Sequence, residues 1–215
     1  GKIANKAKEV VDEAVEAVKE LVTDGVDMVV DIKEDEDDPP LISNKNKSEL
    51  NRIEKVQEGD ILLALPSSGI HSNGFSLVRK LLFEKLHMNL DDDFEGRSLK
   101  DLLLEPTRIY VKEFIEHKNS INALAHITGG GITENLPRVL PLNLKAVVKR
   151  SSIKTLPIFD FMSKYITQDE MFRTFNMGIG MILVVNSSKV DTILKNSDAY
   201  IIGEIKEGDS KVEFI

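Results

Sequence analysis

The residues best suited to chemistry form a short polar loop that follows an apolar run. The run is Ile61–Leu65, and the loop reads Ser67-Ser68-Gly69-Ile70-His71-Ser72-Asn73-Gly74. Its glycines permit positive φ angles, and its Ser and Asn side chains can donate to phosphate or amide oxygens. A buried strand, a Gly/Ser-rich loop and a helix, in that order, direct backbone N–H groups towards an anion. The pattern therefore predicts an anion-binding loop, although Gly/Ser loops also make ordinary turns.

The same arrangement recurs further along the chain. Residues 123–127 predict a strand, Thr128-Gly129-Gly130-Gly131 a loop and Ile132–Leu140 a short helix. Three consecutive glycines cost conformational entropy that a simple turn does not require. We therefore expect this loop to let a ligand, such as a phosphate, approach the backbone closely.

Four further side chains near these loops are candidates for a functional role. His71 is the titratable group inside the first loop and is the candidate for acid/base or phosphate-stabilising work, or else for a structural hydrogen bond. His126 ends a predicted strand and either contacts ligand or orients the glycine loop. Arg108 either pairs with a phosphate or ties its own segment to an acid, and the second interpretation is favoured. Asn176, next to a glycine, either binds ligand or makes a turn, whereas His87 and His117 lie among polar residues where we expect exposure and no role.

The elements that would position these residues alternate between strand and helix. Further strands are predicted near 146–148, 181–185, 199–205 and 211–215, and helices over 156–165 and from Ser188 to about Lys195. This alternation predicts an α/β or α+β sandwich in which helices pack on one mixed sheet.

The first 58 residues differ in character from the rest. They carry 9 basic and 16 acidic side chains, against 19 and 20 in the remainder. Apolar residues recur every three or four positions from Ile3 to Val22, which predicts an amphipathic helix. Six acids within Asp31–Asp38, followed by Pro39-Pro40, predict a solvated linker, with a divalent-metal site as the less favoured alternative. The predicted organisation is a helical segment over 1–30, a linker over 31–50 and a domain over 51–215.

Composition excludes several classes of protein. Hydrophobic residues make up 41% and charged residues 30% of the chain, which is typical of a globular protein. The net charge of -8 argues against nucleic-acid binding. No apolar stretch reaches the length of a membrane span, and the chain has no cysteine for disulfide or thiolate chemistry. We therefore expect a cytoplasmic protein without membrane or nucleic-acid partners.

Four groups of residues form a recognisable series along the chain: Gly59–Leu62 with Ser67–Lys80, Pro106–Tyr110, His126–Gly131 with Glu134–Pro141, and Phe175–Met181. In this order they resemble the C-terminal domain of phosphoribosylformylglycinamidine cyclo-ligase, also called aminoimidazole ribonucleotide synthetase. The resemblance runs from Gly59 to about Ile205, and Met177 stands where that family often has Cys. The family's Thr-Asp-Gly-Val-Gly-Thr-Lys and Gly-Gly-Glu-Thr motifs do not appear.

The resemblance implies an ATP-dependent ring closure in purine biosynthesis. It implies ATP and Mg²⁺ for the complete enzyme, a ribonucleotide substrate, and pairing with an N-terminal domain or a second copy. No cofactor or metal ligand is assigned to this chain, because the nucleotide-binding half does not appear in it. The alternatives are a non-catalytic fragment or fusion, or another member of the same ATP-binding superfamily. The implied site has His71 as the catalytic residue, with substrate bound by Ser67, Ser68, Gly69, Ser72, Asn73, Gly74, Arg108, His126, Thr128, Gly129, Gly130, Gly131 and Asn176.

Overall fold

The structure, a computed structural model, describes residues 53–215. The predicted N-terminal helix and acidic linker lie outside the described residues. The strands are β1 (Ile61–Pro66), β2 (Asp93–Phe94), β3 (Arg97–Ser98), β4 (Ile121–His126), β5 (Leu144–Val148), β6 (Ile179–Val185), β7 (Tyr200–Glu207) and β8 (Val212–Phe214). The α-helices are α1 (Phe75–Val78, continued by a π-helix over Arg79–Lys85), α2 (Leu99–Leu103), α3 (Val111–His117), α4 (Gly131–Asn135), α5 (Pro157–Met162), α6 (Gln168–Thr174) and α7 (Val190–Asn196).

Six strands form one mixed sheet in the order β4-β6-β1-β7-β5-β8. Neighbours are antiparallel except β5 and β8, which are parallel. Strands β2 and β3 make a separate hairpin. The expected mixed sheet with helices packed on it is confirmed. No helix within residues 53–215 is long and apolar enough to cross a bilayer.

Both faces of the central strands are buried, which explains why β1 is an unbroken apolar run rather than an alternating one. Leu62 and Ala64 face the larger apolar cluster, into which α1, α2, α4, α5 and α6 pack. Leu63 and Leu65 face the smaller cluster, which includes Ile193 of α7 and against which Phe114 of α3 packs. Helices thus cover both sides of the central strands and hold their ends in place.

The sheet topology brings the predicted loops to one edge. β1 and β4 flank β6 and run antiparallel to it, with Leu65 and His126 both paired to Met181. The loops that follow β1 and β4 therefore meet the segment that precedes β6. β7 is antiparallel to β1, so the residues before Tyr200 lie at the same edge.

Three local expectations differ from the structure. The helix predicted over 132–140 is α4 from Gly131 to Asn135, continued as a 3-10 helix to Val139 with Pro137 in its first turn. The helix predicted over 156–165 ends at Met162, and α6 follows it where no helix was predicted. His117, expected to be exposed, is 4% exposed, because the last residue of α3 is covered by the rest of the domain rather than facing solvent.

Candidate substrate-binding site

The first loop is held by the side chain of Asn176, which is buried just before β6. Its Nδ2 donates to the backbone oxygens of Gly69 (2.9 Å) and Ile70 (3.2 Å). Its Oδ1 accepts from the Ser67 hydroxyl (3.0 Å) and the Gly178 N–H (2.8 Å). Both Nδ2 hydrogens are thus used inside the protein, so Asn176 shapes the loop in this structure. Of the two interpretations of Asn176, the geometry favours the structural one.

The glycine loop has an equivalent support in Asn135, a buried residue of α4. Its Nδ2 lies 3.2, 3.1 and 2.8 Å from the backbone oxygens of Thr128, Gly129 and Gly131. Its Oδ1 accepts from the Thr128 hydroxyl at 3.3 Å. Sequence reasoning did not select Asn135. The signal was its place in the segment 134–141 that resembles the cyclo-ligase family.

At two of the three consecutive glycines, a side chain would clash with other atoms of the protein. Gly131 has a φ of 59°, and a Cβ there would meet the backbone oxygen of Phe172. Gly130 has a φ of 92°, and a Cβ there would collide with the side chain of Glu134. Gly129 differs, because it is exposed and a Cβ would meet only Asn73 Oδ1, at 3.4 Å. The backbone of Gly129 is therefore the part of this loop that a ligand can approach.

The two loops lie against each other, because Asn73 of the first loop is the neighbour of Gly129 in the second. Gly74 ends the first loop with a φ of 84° and packs on the ring of Phe175. The Ser72 side chain is exposed and lies 3.5 Å from the Thr107 hydroxyl. Exposed or half-buried hydroxyl and amide groups of both loops thus face a shared surface.

His71 is 7% exposed and has a left-handed backbone, with a φ of 60°. Its Nε2 accepts the Ser68 backbone N–H at 3.1 Å and lies 3.5 Å from the backbone nitrogen of Arg108. A nitrogen that accepts an N–H carries no proton, so the neutral ring has its hydrogen on Nδ1. Nδ1 is buried and has no hydrogen-bond partner among the described residues. Because such a donor is costly to leave unpaired, it is suited to an acceptor on a ligand.

The electrostatics keep His71 neutral. Burial lowers its pKa from 6.5 to about 4, with smaller contributions from His126 and Arg108. His126, at the end of β4, also has a lowered pKa because surrounding protein partly desolvates its ring. Its exposed side chain lies edge-on to Tyr110, with ring centroids 6.3 Å apart. Both imidazoles are therefore uncharged at neutral pH and can act as hydrogen-bond donors or acceptors.

Arg108 is committed to carboxylates of its own chain. Its guanidinium binds Asp198 in a bidentate manner, at 2.6 and 2.9 Å, and Glu113 at 2.6 Å. It also donates to the backbone oxygen of Pro66 at 3.3 Å. The geometry thus favours the structural role that was the preferred interpretation of Arg108. The segment that carries it is tied to the first loop by the Ser68 hydroxyl, which donates to Pro106 O at 2.6 Å.

Within residues 53–215, no three His, Cys, Asp or Glu side chains are grouped so that they could hold a metal ion. The donors at this edge are hydroxyls, amides, backbone N–H groups and neutral imidazoles. Groups of this kind can donate hydrogen bonds to phosphate and amide oxygens.

Comparison with known proteins places these features in a family context. Residues 57–215 match the family model described as "AIR synthase related protein, C-terminal domain". Several curated relatives are named phosphoribosylformylglycinamidine cyclo-ligase. The one from Ligilactobacillus salivarius is 44% identical, and the match covers 79% of this chain and 52% of the relative. The one from Bacillus subtilis is 43% identical, and the match covers 76% of this chain and 50% of the relative. The chain spans about half the length of these relatives. The relative from Geobacillus thermodenitrificans is 41% identical over 96% of this chain and 64% of its own length, so that match extends into the residues before Gly59.

Solved structures share the fold at much lower identity. Thiamine-monophosphate kinase from Stenotrophomonas maltophilia is 17% identical, with a TM-score of 0.54 over 76% of this chain and 52% of its own. HypE from E. coli is also 17% identical, with a TM-score of 0.52, and the match covers 74% of this chain and 47% of HypE. At this identity the likeness establishes the fold alone.

Proposed function

Because the chain belongs to the family of AIR synthase related proteins through their C-terminal domain, we propose that it is the substrate-binding part of a phosphoribosylformylglycinamidine cyclo-ligase. The reaction converts formylglycinamidine ribonucleotide to aminoimidazole ribonucleotide in purine biosynthesis. Curated relatives at 41%, 44% and 46% identity carry that name.

The observation that carries the proposal is the convergence of the family-like segments at one sheet edge. Asn176 joins the segment before β6 to the first loop, and Asn73 joins the first loop to Gly129. Ser68 joins the first loop to Pro106. Segments more than a hundred residues apart in sequence thus contribute to one surface, as a site for a single ligand requires.

In the proposed site the backbone N–H of Gly129 and the side chains of Thr128, Ser72 and Asn73 bind the phosphate and amide groups of the ribonucleotide. His71 donates its Nδ1 hydrogen to a substrate oxygen. Since its Nε2 is occupied by Ser68 and its pKa is about 4, the ring is a poor general acid at neutral pH. Of the two roles considered for His71, stabilisation of negative charge therefore fits better than proton transfer.

ATP serves as the second substrate of the proposed reaction, and with Mg²⁺ it phosphorylates the formyl oxygen so that a substrate nitrogen can displace phosphate and close the ring. We propose that the nucleotide and the metal ion are held by an N-terminal domain that pairs with this one. A second copy of the chain is the other candidate partner. This chain alone would then show little cyclisation.

The test is a cyclisation assay with formylglycinamidine ribonucleotide, ATP and Mg²⁺, run on this chain alone and mixed with a separately produced N-terminal half of a relative. We expect turnover only in the mixture, and a loss of at least about tenfold with His71→Asn, which keeps a side chain compatible with a positive φ. His87→Asn is the matched control, because His87 also has a positive φ (53°) but is exposed, two residues beyond the end of the π-helix. Robust turnover by this chain alone would show that it needs no partner domain.

The second candidate is a non-catalytic fragment or fusion that keeps the fold, which the half-length coverage of the relatives favours. Calorimetry with formylglycinamidine ribonucleotide separates the two. Binding that is weakened by His71→Asn but not by His87→Asn supports the cyclo-ligase site. No binding, together with no turnover in the mixture, supports the fragment.

A further inference from the structure

A cluster of positive charge lies beside the glycine loop, and neither of its two cationic residues, Arg150 and Arg173, belongs to the site described above. Its central residue is Arg150, which follows β5 at the same sheet edge. The Arg150 guanidinium carbon lies 5.7 Å from the ring centre of Phe172 and 5.4 Å from that of Phe214. The two rings are themselves 4.6 Å apart. These aromatic contacts hold the guanidinium in one place, as a binding group requires.

The charge of Arg150 is not neutralised by any described residue. No carboxylate of residues 53–215 lies within 4.0 Å of it. One terminal nitrogen donates to Gln168 Oε1 at 2.6 Å, and the Nε is buried with no acceptor within the described part of the chain. A partly buried cation that lacks a counter-ion carries an uncompensated desolvation cost, which a bound anion would remove.

Space and a second positive charge are available next to this group. A cavity of about 180 Å³ is lined by Arg150, Phe172, Phe214, Arg173, Thr133 and Asp169. That volume is more than ten times the roughly 10 to 15 Å³ that a cavity needs to hold one water molecule. Arg173 is exposed and makes no ion pair with a residue in 53–215. Two guanidinium groups against the single carboxylate of Asp169 leave the cavity positive.

The position of the cavity suggests what it binds. Thr133 lies on α4, two residues after Gly131, so the cavity adjoins the end of the glycine loop. Guanidinium groups match the geometry of phosphate oxygens, and a pair of them suits a dianion better than a monoanion. We propose that Arg150 and Arg173 form a second anion site, separate from the glycine loop, which binds the phosphate monoester of a small molecule. This site stands whether or not the chain belongs to an active cyclo-ligase.

The test is a titration of the whole chain with inorganic phosphate, followed by NMR of the arginine Nε–H and backbone amide signals. We expect the Arg150 Nε–H to shift most. Arg150→Gln should weaken phosphate binding at least tenfold, and Arg173→Gln several-fold. Lys149→Gln is the matched control, since Lys149 is the exposed neighbour of Arg150, and it should change binding less than twofold. Unchanged phosphate affinity in Arg150→Gln would overturn the proposal.

Arg150 also packs on two core-facing rings, so its substitution can destabilise the fold. Arg173→Gln then decides the question, because Arg173 is exposed and unpaired within the described residues. If its phosphate affinity equals that of the unmodified chain, the site does not exist as proposed. Ribose 5-phosphate should displace inorganic phosphate in the same titration, since both carry the dianion. If it does not, the cavity holds the free ion only and the monoester assignment is wrong.

Discussion

His71 accepts the backbone N–H of Ser68 at Nε2, three residues back along the chain and at 3.1 Å. This bond is possible because His71 has a φ of 60°, which folds its ring back over the loop. The left-handed conformation costs free energy for a residue other than glycine, and the surrounding contacts must supply it. The result is an imidazole whose tautomer is fixed by the fold and whose buried Nδ1 has no hydrogen-bond partner among residues 53–215.

The first prediction concerns stability and pH. The folded pKa of His71, about 4, lies below its ordinary value of 6.5, so the unfolded chain binds the proton more tightly. The contribution of His71 to stability is therefore fully present above pH 6.5 and is lost as the pH falls towards 4. At the lower end the loss is on the order of 3 kcal/mol, because one pKa unit corresponds to about 1.4 kcal/mol. Urea unfolding at pH 7, 6, 5 and 4.5 measures it.

Carboxylates also contribute to acid sensitivity, so the variants identify the group. His71→Asn should flatten the fall in the free energy of unfolding between pH 6.5 and 4.5, and His87→Asn, at an exposed position, is the control for replacing a histidine. A curve for His71→Asn that parallels the unmodified chain would mean that His71 is charged in the folded state at pH 5.

The second prediction is that Asn176 is required for the fold of the site. Asn176→Ala leaves the backbone oxygens of Gly69 and Ile70 and the N–H of Gly178 without their partners. Buried groups left without partners cost about 1 to 3 kcal/mol each before relaxation, so we expect a net loss of about 3 kcal/mol in urea unfolding. The control is Asn196→Ala, which removes one exposed bond to Thr192 O and should cost less than about 0.5 kcal/mol. Similar losses for the two variants would contradict this role.

The sequence predicted the sheet, the two loops and their place after β1 and β4, because apolar runs followed by glycines and polar residues are local signals. It did not predict which side chains hold the loops. Asn176 binds backbone oxygens more than a hundred residues away in sequence, and no local pattern encodes such a contact. Asn135 binds backbone oxygens of the nearby glycine loop from within α4. The same limit applies to the glycines. The glycine residues indicated that something approaches the backbone closely, but not what. The structure shows that the backbone of Phe172 does so at Gly131, whereas a Cβ at Gly129 would only reach van der Waals distance of Asn73 Oδ1.

A third prediction tests whether Arg108 is structural. Arg108→Lys replaces a planar group that spans Asp198 and Glu113 by a single ammonium, which cannot reach both in the same way. Since the side chain of Asp198 is 53% exposed, solvent screens part of the interaction, and we expect a loss of about 1 to 2 kcal/mol. Arg97→Lys is the control, because within residues 53–215 Arg97 makes a single ion pair, with Glu105, and its side chain is 50% exposed, so its loss should stay below about 0.5 kcal/mol.

The pH dependence supplies a second readout for the same pair. Hydrogen bonds from Arg108 lower the pKa of Asp198, so this stabilisation is present above the ordinary pKa of 3.8 and fades as the pH falls below it. The stability difference between the unmodified chain and Arg108→Lys should therefore be smaller at pH 3 than at pH 7. A difference that does not change with pH would show that packing against Tyr110, rather than the ion pair, accounts for the loss.

The last prediction separates ligand binding from folding within the glycine loop. Gly131→Ala places a Cβ against the backbone oxygen of Phe172 at a φ of 59°, so we expect it to destabilise the fold by at least about 2 kcal/mol. Gly129→Ala meets only Asn73 Oδ1 at 3.4 Å, and its stability should stay within about 0.5 kcal/mol of the unmodified chain. A substitution at Gly130 is less informative, because its φ of 92° and the side chain of Glu134 also disfavour a Cβ there.

Gly129→Ala therefore isolates the effect on binding. In calorimetry with formylglycinamidine ribonucleotide it should weaken affinity several-fold, since its methyl group covers the backbone that the phosphate would approach. Unchanged affinity in this stable variant would mean that the glycine loop serves only to pack α4 against α6.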